Sequence, residues 1–266
     1  MPPLLSRVVV AVALLPAVLG VVWLGGWWLC GLAVVAAALA LHEYFALTRS
    51  LRPLVLAGYL GALAALLGVQ LGGLAWMLGG FLSTLAVAFV IQGLTGSRSS
   101  ATVALGATVL GVAWVALGLG HILVLREIED HGRLAVYTVL ITVFAADTVA
   151  YFVGRLLGRH KLAPVLSPGK TWEGFIAGSA TAVFVAFICL YRTGFVDGWR
   201  SLVLGGVIAV TSAMGDLFES AVKRDMRVKD SGRLLAAHGG MLDRLDSHLF
   251  AAIASYYTIL ALDSGT

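Results

Sequence analysis

Residues 8–41 read VVVAVALLPAVLGVVWLGGWWLCGLAVVAAALAL, and this uninterrupted apolar stretch decides the class of fold. A helix needs about 20 predominantly apolar residues to cross the hydrocarbon core of a bilayer. The apolar part of a secretory signal peptide is no longer than about 15 residues, so this stretch is about twice too long for one. It therefore predicts two membrane spans rather than a leader.

The rest of the chain has the same character. Of its 266 residues, 60% are apolar and only 12% are charged, whereas a soluble domain has about 25% charged residues. The mean hydropathy is +0.96. We therefore predict an all-α, polytopic integral membrane protein with about nine transmembrane helices. Their expected bounds are 6–24, 27–47, 54–71, 74–94, 101–125, 135–157, 172–191, 201–222 and 247–263.

The basic residues orient these predicted helices. With nine spans, 14 of the 18 Lys and Arg residues fall on one side of the membrane, and only Arg126, Arg133, Arg192 and Arg200 fall on the other. Loops rich in Lys and Arg stay in the cytoplasm. The N-terminus and the charged loop after the eighth span are therefore expected to face the cytoplasm. We expect the protein in the inner (plasma) membrane of the cell.

The first half of the chain has the composition of a scaffold. Residues 1–133 are mostly Leu, Ala, Val and Gly, with glycine pairs at 25–26, 72–73 and 79–80. Such pairs suit tight turns or close helix approach. The stretch His42-Glu43-Tyr44 ends the second span and is interpreted as interfacial. We expect residues 1–133 to form an N-terminal transmembrane scaffold.

Ionisable side chains inside or beside spans begin in the second half. A carboxylate at membrane depth is costly and usually faces a partner or an aqueous cavity. We therefore expect residues 134–266 to form a transmembrane catalytic region whose substrate and metal site lies on the cytoplasmic side.

A polar stripe runs along the predicted eighth span. Asp216, Glu219, Ser220 and Lys223 recur at i, i+3, i+4 and i+7, which places them on one helical face. The carboxylates of such a stripe hold a cation, and its lysine binds phosphate. The alternative is a network of internal ion pairs without a ligand.

Asp243 and Asp246 repeat this spacing where the ninth span begins. Mg²⁺ prefers oxygen ligands and usually binds through one or two carboxylates plus substrate phosphates. Asp216, Asp243 and Asp246 are therefore the expected metal ligands. Mg²⁺ is the expected cofactor, with Mn²⁺ and a second cation as alternatives. Neighbouring basic residues are placed to neutralise a departing pyrophosphate: Lys223, Arg224, Lys229 and Arg244.

These residues belong to a longer motif. From Ser220 to Asp246 the chain follows S-x-x-K-R-x4-K-D-x-G-x2-L-P-x-H-G-G-x-x-D-R-x-D at every fixed position except Ala236. The motif resembles the signature of CDP-diacylglycerol synthases, the phosphatidate cytidylyltransferases, which usually have proline where this chain has Ala236. The glycines after His238 let backbone N–H groups approach a phosphate or a base, although a histidine at a turn is more often structural.

Residues 167–174 read SPGKTWEG and resemble a second element of the same family, S-P-x-K-[ST]-W-E-G. A P-loop is excluded because it requires glycine where this chain has Pro164, and no strand is expected before it. Lys170 is expected to bind phosphate. Ser167 and Glu173 are interpreted as a partial helix cap, and Gly174 with Gly178 as a helix-packing face.

The predicted sixth span resembles a third element of the family, Asp-x3-Tyr-x2-Gly-Arg. Its matching residues are Asp147, Tyr151, Gly154 and Arg155. Two interpretations remain open for this stripe. Asp147 either lines the substrate site or joins Arg155 through Tyr151 in an internal pair.

The resemblance implies that CTP and phosphatidic acid give CDP-diacylglycerol and pyrophosphate. The expected partners are CTP, phosphatidic acid and membrane lipids, with no nucleic acid; the resemblance and the glycine-rich helix faces also favour a homodimer. The expected catalytic residues are Asp216, Lys223, Asp243 and Asp246. The expected substrate-binding residues are Asp147, Lys170, Arg224, Lys229, Asp230, His238, Gly239, Gly240 and Arg244.

Three alternatives remain. A related CTP-dependent enzyme would act on a polyprenol or an ether lipid. An ion-coupled transporter would use Asp147 and Asp216, but it leaves the basic cluster at 223–244 without a role. A relative that binds CTP or lipid without turnover would follow from Ala236, which removes a rigid turn former.

Overall fold

The computed structural model of the protein describes residues 16–95, 100–228 and 240–263. These residues are mostly helical, and seven of their helices are long and apolar enough to cross a membrane. The predicted all-α, polytopic membrane class is thus confirmed. The helices are α1 (16–24), α2 (Gly26–Leu47), α3 (Val55–Thr95), α4 (Ala101–Arg126), α5 (Gly132–Leu157), α6 (Trp172–Leu190), α7 (Trp199–Asp225) and α8 (Leu242–Asp263).

Helix α3 contains two spans joined at a kink. Its backbone is non-helical at Gly72 and Gly73, and Gly73 has a φ of 65°, in the left-handed region that favours glycine. The two arms correspond to the expected spans 54–71 and 74–94. The expected first span, 6–24, lies partly outside the described residues, so the count of nine spans and the cytoplasmic N-terminus stay predictions.

The chain divides into two compact units. The first runs to Val124 and includes Met226–Leu245; the second comprises Leu125–Asp225 and the residues from Asp246 onward. Helix α8 therefore contributes its first turn to one unit and the rest to the other. The expected division into a scaffold (1–133) and a catalytic region (134–266) concerns function and stays a prediction.

Glycines bring the helices of the first unit close together. A side chain at Gly80 would collide with the backbone of Ala64, and one at Gly111 would collide with the ring of Tyr44. The pair at 25–26 has positive φ angles and turns the chain from α1 into α2. The glycine pairs therefore provide the turns and the close approach that were predicted.

The stretch His42-Glu43-Tyr44 differs from its expected interfacial position. His42 is exposed, but Glu43 and Tyr44 are only 2% and 1% exposed. The Tyr44 hydroxyl donates to the carbonyl oxygen of Ala107 at 2.8 Å, and Glu43 accepts a hydrogen bond from the start of α8. The interfacial interpretation is wrong for Glu43 and Tyr44, because the polar group of each side chain is hydrogen-bonded inside the protein and not to water or lipid headgroups.

Glycines also pack the helices of the second unit. A side chain at Gly174 would collide with the backbone of α5 at Ala150, and one at Gly178 would lie 2.9 Å from the carbonyl oxygen of Ala146. Gly205 places α7 equally close to the backbone of α6. The predicted packing role of Gly174 and Gly178 is confirmed, because only glycine permits this approach.

A short antiparallel hairpin lies between α5 and α6. Its strands are β1 (Lys161–Ala163) and β2 (Ser167–Thr171), and Lys161 pairs with Thr171. The expectation that no strand precedes the Gly-Lys-Thr sequence is therefore wrong. Pro164 still excludes a P-loop, and Lys170 lies within a strand rather than in a loop that surrounds phosphate.

The cap of α6 also differs from the predicted one. The N-cap residue is Thr171, whose hydroxyl accepts the Gly174 N–H at 3.2 Å. Ser167 begins β2 instead, so its interpretation as a cap is wrong. Glu173 accepts the backbone N–H of His160 at 3.2 Å and lies 2.6 Å from the Nδ1 atom of that residue, which holds the hairpin against the first turn of α6.

Candidate active site

The predicted polar stripe lies on the last turns of α7. The Ser220 hydroxyl donates to Asp216 Oδ1 at 3.5 Å, and Lys223 Nζ donates to Glu219 Oε2 at 2.9 Å. The side chains of Lys223 and Glu219 are only 15% and 2% exposed. The prediction that these residues share one helical face is confirmed. The ion pair between Lys223 and Glu219 on this face is also what the alternative, a network of internal ion pairs without a ligand, predicts.

Lys170 joins the hairpin to this stripe. Its Nζ lies 2.9 Å from Asp216 Oδ2 and 3.4 Å from the carbonyl oxygen of Ala213. Arg224, at the end of α7, donates from Nε to the carbonyl oxygen of Leu166 at 3.3 Å. The structure thus joins Lys170 to Asp216 from two separate motifs, and the segment that carries Lys170 contacts α7 again at Arg224.

Gly215 brings α8 against α7 next to Asp216. Any side chain at position 215 would collide with the backbone of Asp246. Asp246 is 8% exposed; its Oδ1 accepts the Ser247 N–H at 2.7 Å, and its carboxyl group lies next to that of Glu219. The close approach of the two backbones therefore places Asp216 and Asp246 in one cluster.

Asp147 on α5 completes this cluster. It keeps exposed surface, accepts a hydrogen bond from the Ser247 side chain, and lies in electrostatic range of Asp216 and Lys170. On the next turns of α5, Arg155 donates to the Tyr151 hydroxyl at 2.8 Å. The contact between Arg155 and Tyr151 that the internal-pair interpretation predicts is therefore present. Asp147, however, lies next to the other carboxylates, as the substrate-lining interpretation predicts.

The four carboxylates of this cluster are Asp147, Asp216, Glu219 and Asp246. Lys170 and Lys223 offset part of their negative charge. Among the residues that the structure describes, no three His, Cys, Asp or Glu side chains form a ready-made metal site. The all-oxygen donor set still fits Mg²⁺, because this ion binds through one or two carboxylates and takes its other ligands from phosphates and water.

Asp243 belongs to the first unit, where it lies in the first turn of α8. Its Oδ2 accepts the Gly240 N–H at 3.3 Å. The N–H of Leu242, two residues further on, donates to Glu43 Oε2 at 2.9 Å. Gly240 is buried and Arg244 is exposed. Two carboxylates therefore hold the first turn of α8.

Two acidic residues that contact expected site residues or their helices, Glu219 and Glu43, were not themselves predicted to belong to the site. Glu219 was visible in the sequence as part of the α7 stripe. Glu43 was visible only as an isolated acidic residue at the end of an apolar span, and nothing in its neighbourhood pointed to α8.

Several expected substrate-binding residues lie outside the described residues. They are Lys229, Asp230, His238 and Gly239, together with the variant position Ala236. Their roles stay predictions.

Comparison with known proteins adds independent information. The sequence model of the cytidylyltransferase family matches residues 5–262. The chain is similar to the phosphatidate cytidylyltransferase of Mycobacterium tuberculosis, with 40% identity over 162 residues (59% of this chain and 47% of the relative). Identity is 42% over 142 residues with that of Staphylococcus haemolyticus (53% and 54%), and 41% over 153 residues with that of Brucella abortus (55% and 57%). The chain spans about half the length of these curated relatives.

Proposed function

The chain belongs to the cytidylyltransferase family, and from this membership we propose that it transfers the cytidylyl group of CTP to phosphatidic acid. The products are CDP-diacylglycerol and pyrophosphate. The relatives named phosphatidate cytidylyltransferase support this choice of acceptor. The observation that carries the proposal is the ion pair between Lys170 and Asp216, which joins two motifs beside a carboxylate cluster.

The proposed reaction is a displacement at phosphorus. A phosphate oxygen of phosphatidic acid attacks the α-phosphorus of CTP and forms a new P–O bond. The bond from this phosphorus to the oxygen that bridges it to the β-phosphate breaks, and pyrophosphate leaves with the electron pair. The attacking phosphate is already an anion at neutral pH, so positioning and charge neutralisation matter more than a general base.

Three cations are placed for this neutralisation: Lys170, Lys223 and Arg224. Hydrogen bonds from cations to phosphate oxygens are short and strong. In the structure, the two lysines contact carboxylates instead. We infer that each lysine exchanges its carboxylate for a phosphate oxygen when CTP binds, which leaves the carboxylates with excess negative charge.

That excess charge suits a divalent cation. Asp216 and Asp246 would hold it, and the role of Asp243 as a ligand stays a prediction. When bound, Mg²⁺ supplies charge neutralisation and polarises the phosphoryl group under attack.

The location of the site is also part of the proposal. The excess of Lys and Arg on one side of the predicted topology supports a site that faces the cytoplasm, where CTP is available, in a protein of the inner (plasma) membrane. A homodimer stays a prediction.

The decisive experiment uses purified protein in detergent with Mg²⁺, phosphatidic acid and CTP that is labelled at either the α- or the γ-phosphorus. Cytidylyl transfer puts only the α-label into the lipid product. Phosphoryl transfer to a polyprenol would put only the γ-label there, and an ether-linked acceptor would be labelled in preference to phosphatidic acid in a lipid panel. Binding of CTP without labelled lipid would contradict the proposal and favour a relative without turnover.

A further inference from the structure

Glu43 is a buried carboxylate that has no role in the proposed reaction as described above. It lies on α2, is 2% exposed, and accepts the Leu242 N–H through Oε2 at 2.9 Å. Its Oε1 atom is buried and has no hydrogen-bond partner among the described residues. Burial of a carboxylate is costly, and a single hydrogen bond offsets only part of that cost. Stability alone therefore does not explain an acidic residue here.

Glu43 accepts a backbone N–H group at the start of helix α8. The first N–H groups of a helix lack partners within the helix, and its N-terminus attracts negative charge. A local Ser, Thr or Asp normally satisfies these groups. At α8 the acceptor instead comes from a residue 199 positions away in the sequence. A local cap only marks where a helix begins, whereas a distant cap also fixes the start of the helix against another segment of the chain.

The part of α2 that carries Glu43 is suited to act as a fixed support. Its neighbours Ala40 and Leu41 are fully buried, and Tyr44 is hydrogen-bonded to α4. Close packing leaves such residues little freedom to shift. The Leu242 N–H is therefore tied to one of the most enclosed segments of the first unit.

The residue after Leu242 is Asp243, an expected metal ligand. Its carboxylate accepts the Gly240 N–H, so one hydrogen bond closes the segment from 240 to 243 and another ties it to α2. We propose that Glu43 is a positioning residue that sets the first turn of α8 and thereby presents the Asp243 carboxylate to the nucleotide. This inference rests on the proposed cytidylyl transfer, because that reaction is what Asp243 serves.

The first test compares Glu43→Ala with Glu43→Gln, and uses His42→Ala as the matched control on the exposed neighbour. Glu43→Ala should lower kcat by about tenfold to a hundredfold, the scale of a misplaced reacting group, with little change in KM for phosphatidic acid. Glu43→Gln should recover most of the activity, because its amide oxygen still accepts the Leu242 N–H. Wild-type kcat in Glu43→Ala, or equal losses in both variants, would overturn the proposal.

The second test asks whether Glu43 acts through Asp243. If it does, Glu43→Ala added to Asp243→Glu, which keeps a carboxylate and measurable turnover, should cause much less further loss than Glu43→Ala causes in the wild type. Losses that multiply would mean that the two residues act independently, and would overturn the proposal.

A third measurement does not depend on catalysis. Hydrogen exchange at the Leu242 amide should accelerate in Glu43→Ala and stay near the wild-type rate in Glu43→Gln and His42→Ala, while amides in α5 are unchanged. Unchanged exchange at Leu242 would overturn the proposal. If the wild type transfers no cytidylyl group, the proposed function fails, and this exchange still decides whether Glu43 holds the turn. If Glu43→Ala does not fold, Glu43→Asp takes its place, because the shorter side chain withdraws the acceptor.

Discussion

Lys170 Nζ lies 2.9 Å from Asp216 Oδ2. Lys170 lies on the β2 strand and Asp216 on the α7 helix, so this ion pair joins the hairpin motif to the polar stripe. The two side chains are 23% and 38% exposed, which leaves the pair accessible to a ligand. An accessible cation next to several carboxylates is an arrangement that a metal-bound triphosphate can enter.

The Lys170→Ala variant tests whether Lys170 binds CTP or only stabilises the fold. Lys170→Ala should lower kcat/KM for CTP by about 1.5–3 kcal/mol, the scale of a charge-assisted hydrogen bond. The melting temperature should change little, because a partly exposed ion pair contributes about 0–1 kcal/mol. Steady-state kinetics and thermal unfolding check the two statements. Lys161→Ala, at an exposed position of β1, is the control; an equal loss there would remove the specific role of Lys170.

The expected metal ligands give a second prediction. Asp216→Asn, Asp243→Asn and Asp246→Asn should each abolish or nearly abolish turnover while the protein stays folded, because loss of a ligand costs about tenfold to a hundredfold or more. Product formation is measured alongside the elution profile in detergent. Asp225→Asn, at the exposed end of α7, should behave as the wild type. Near wild-type activity in any of the three variants excludes that residue from the site.

Removal of metal gives a third prediction. The carboxylates of the site offer only oxygen donors, so EDTA should stop cytidylyl transfer, and Mg²⁺ or Mn²⁺ should restore it. Soft metals should not. The measurement is labelled-lipid formation in metal-free buffer with each ion added back. Full activity in that buffer would show that the carboxylates serve some purpose other than metal binding.

The buried pair of Lys223 and Glu219 gives a fourth prediction. Lys223→Ala should lower kcat/KM for CTP by about 1.5–3 kcal/mol, with a smaller change in KM for phosphatidic acid. It should also lower the free energy of unfolding by about 3–5 kcal/mol, because it leaves the Glu219 carboxylate buried without its cation.

A double variant separates these two effects of Lys223. Glu219→Gln combined with Lys223→Ala should recover most of the lost stability, since the buried charge of Glu219 is removed together with its cation, but it should not recover activity for CTP. Recovery of both would mean that Lys223 only neutralises Glu219. A loss confined to lipid affinity would indicate headgroup anchoring by Lys223 instead.

Two glycines of α7 give a fifth prediction. Gly215→Ala should lower both stability and activity, because its Cβ would push against the backbone of Asp246 and separate the two carboxylates of the cluster. Gly206→Ala is the matched control, since a Cβ there meets nothing within 4 Å. The control should be neutral, or stabilising by up to about 1 kcal/mol through helix propensity. Thermal unfolding and product formation are measured for both, and equal behaviour would contradict the close-packing argument.

From the sequence alone, the spans, the shared helical face and the kink could be predicted, but the local hairpin and the Thr171 cap of α6 were missed. Hydropathy indicated the spans from α2 to α8 because bilayer thickness sets the length of an apolar helix. The spacing of Asp216, Glu219 and Lys223 predicted a shared face because helical periodicity is local. The glycine pair at 72–73 predicted the turn within α3, since φ preference belongs to the residue itself.

Only the tertiary structure decided which of these side chains meet. The partner of Lys170 and the hydrogen bond from Leu242 to Glu43 each depend on how closely two distant segments approach. That approach is set by packing at positions such as Gly215, where the lack of a side chain allows two backbones to touch. Periodicity places a residue on a face of its own helix, but the backbone opposite that face is chosen by the packing of the whole unit.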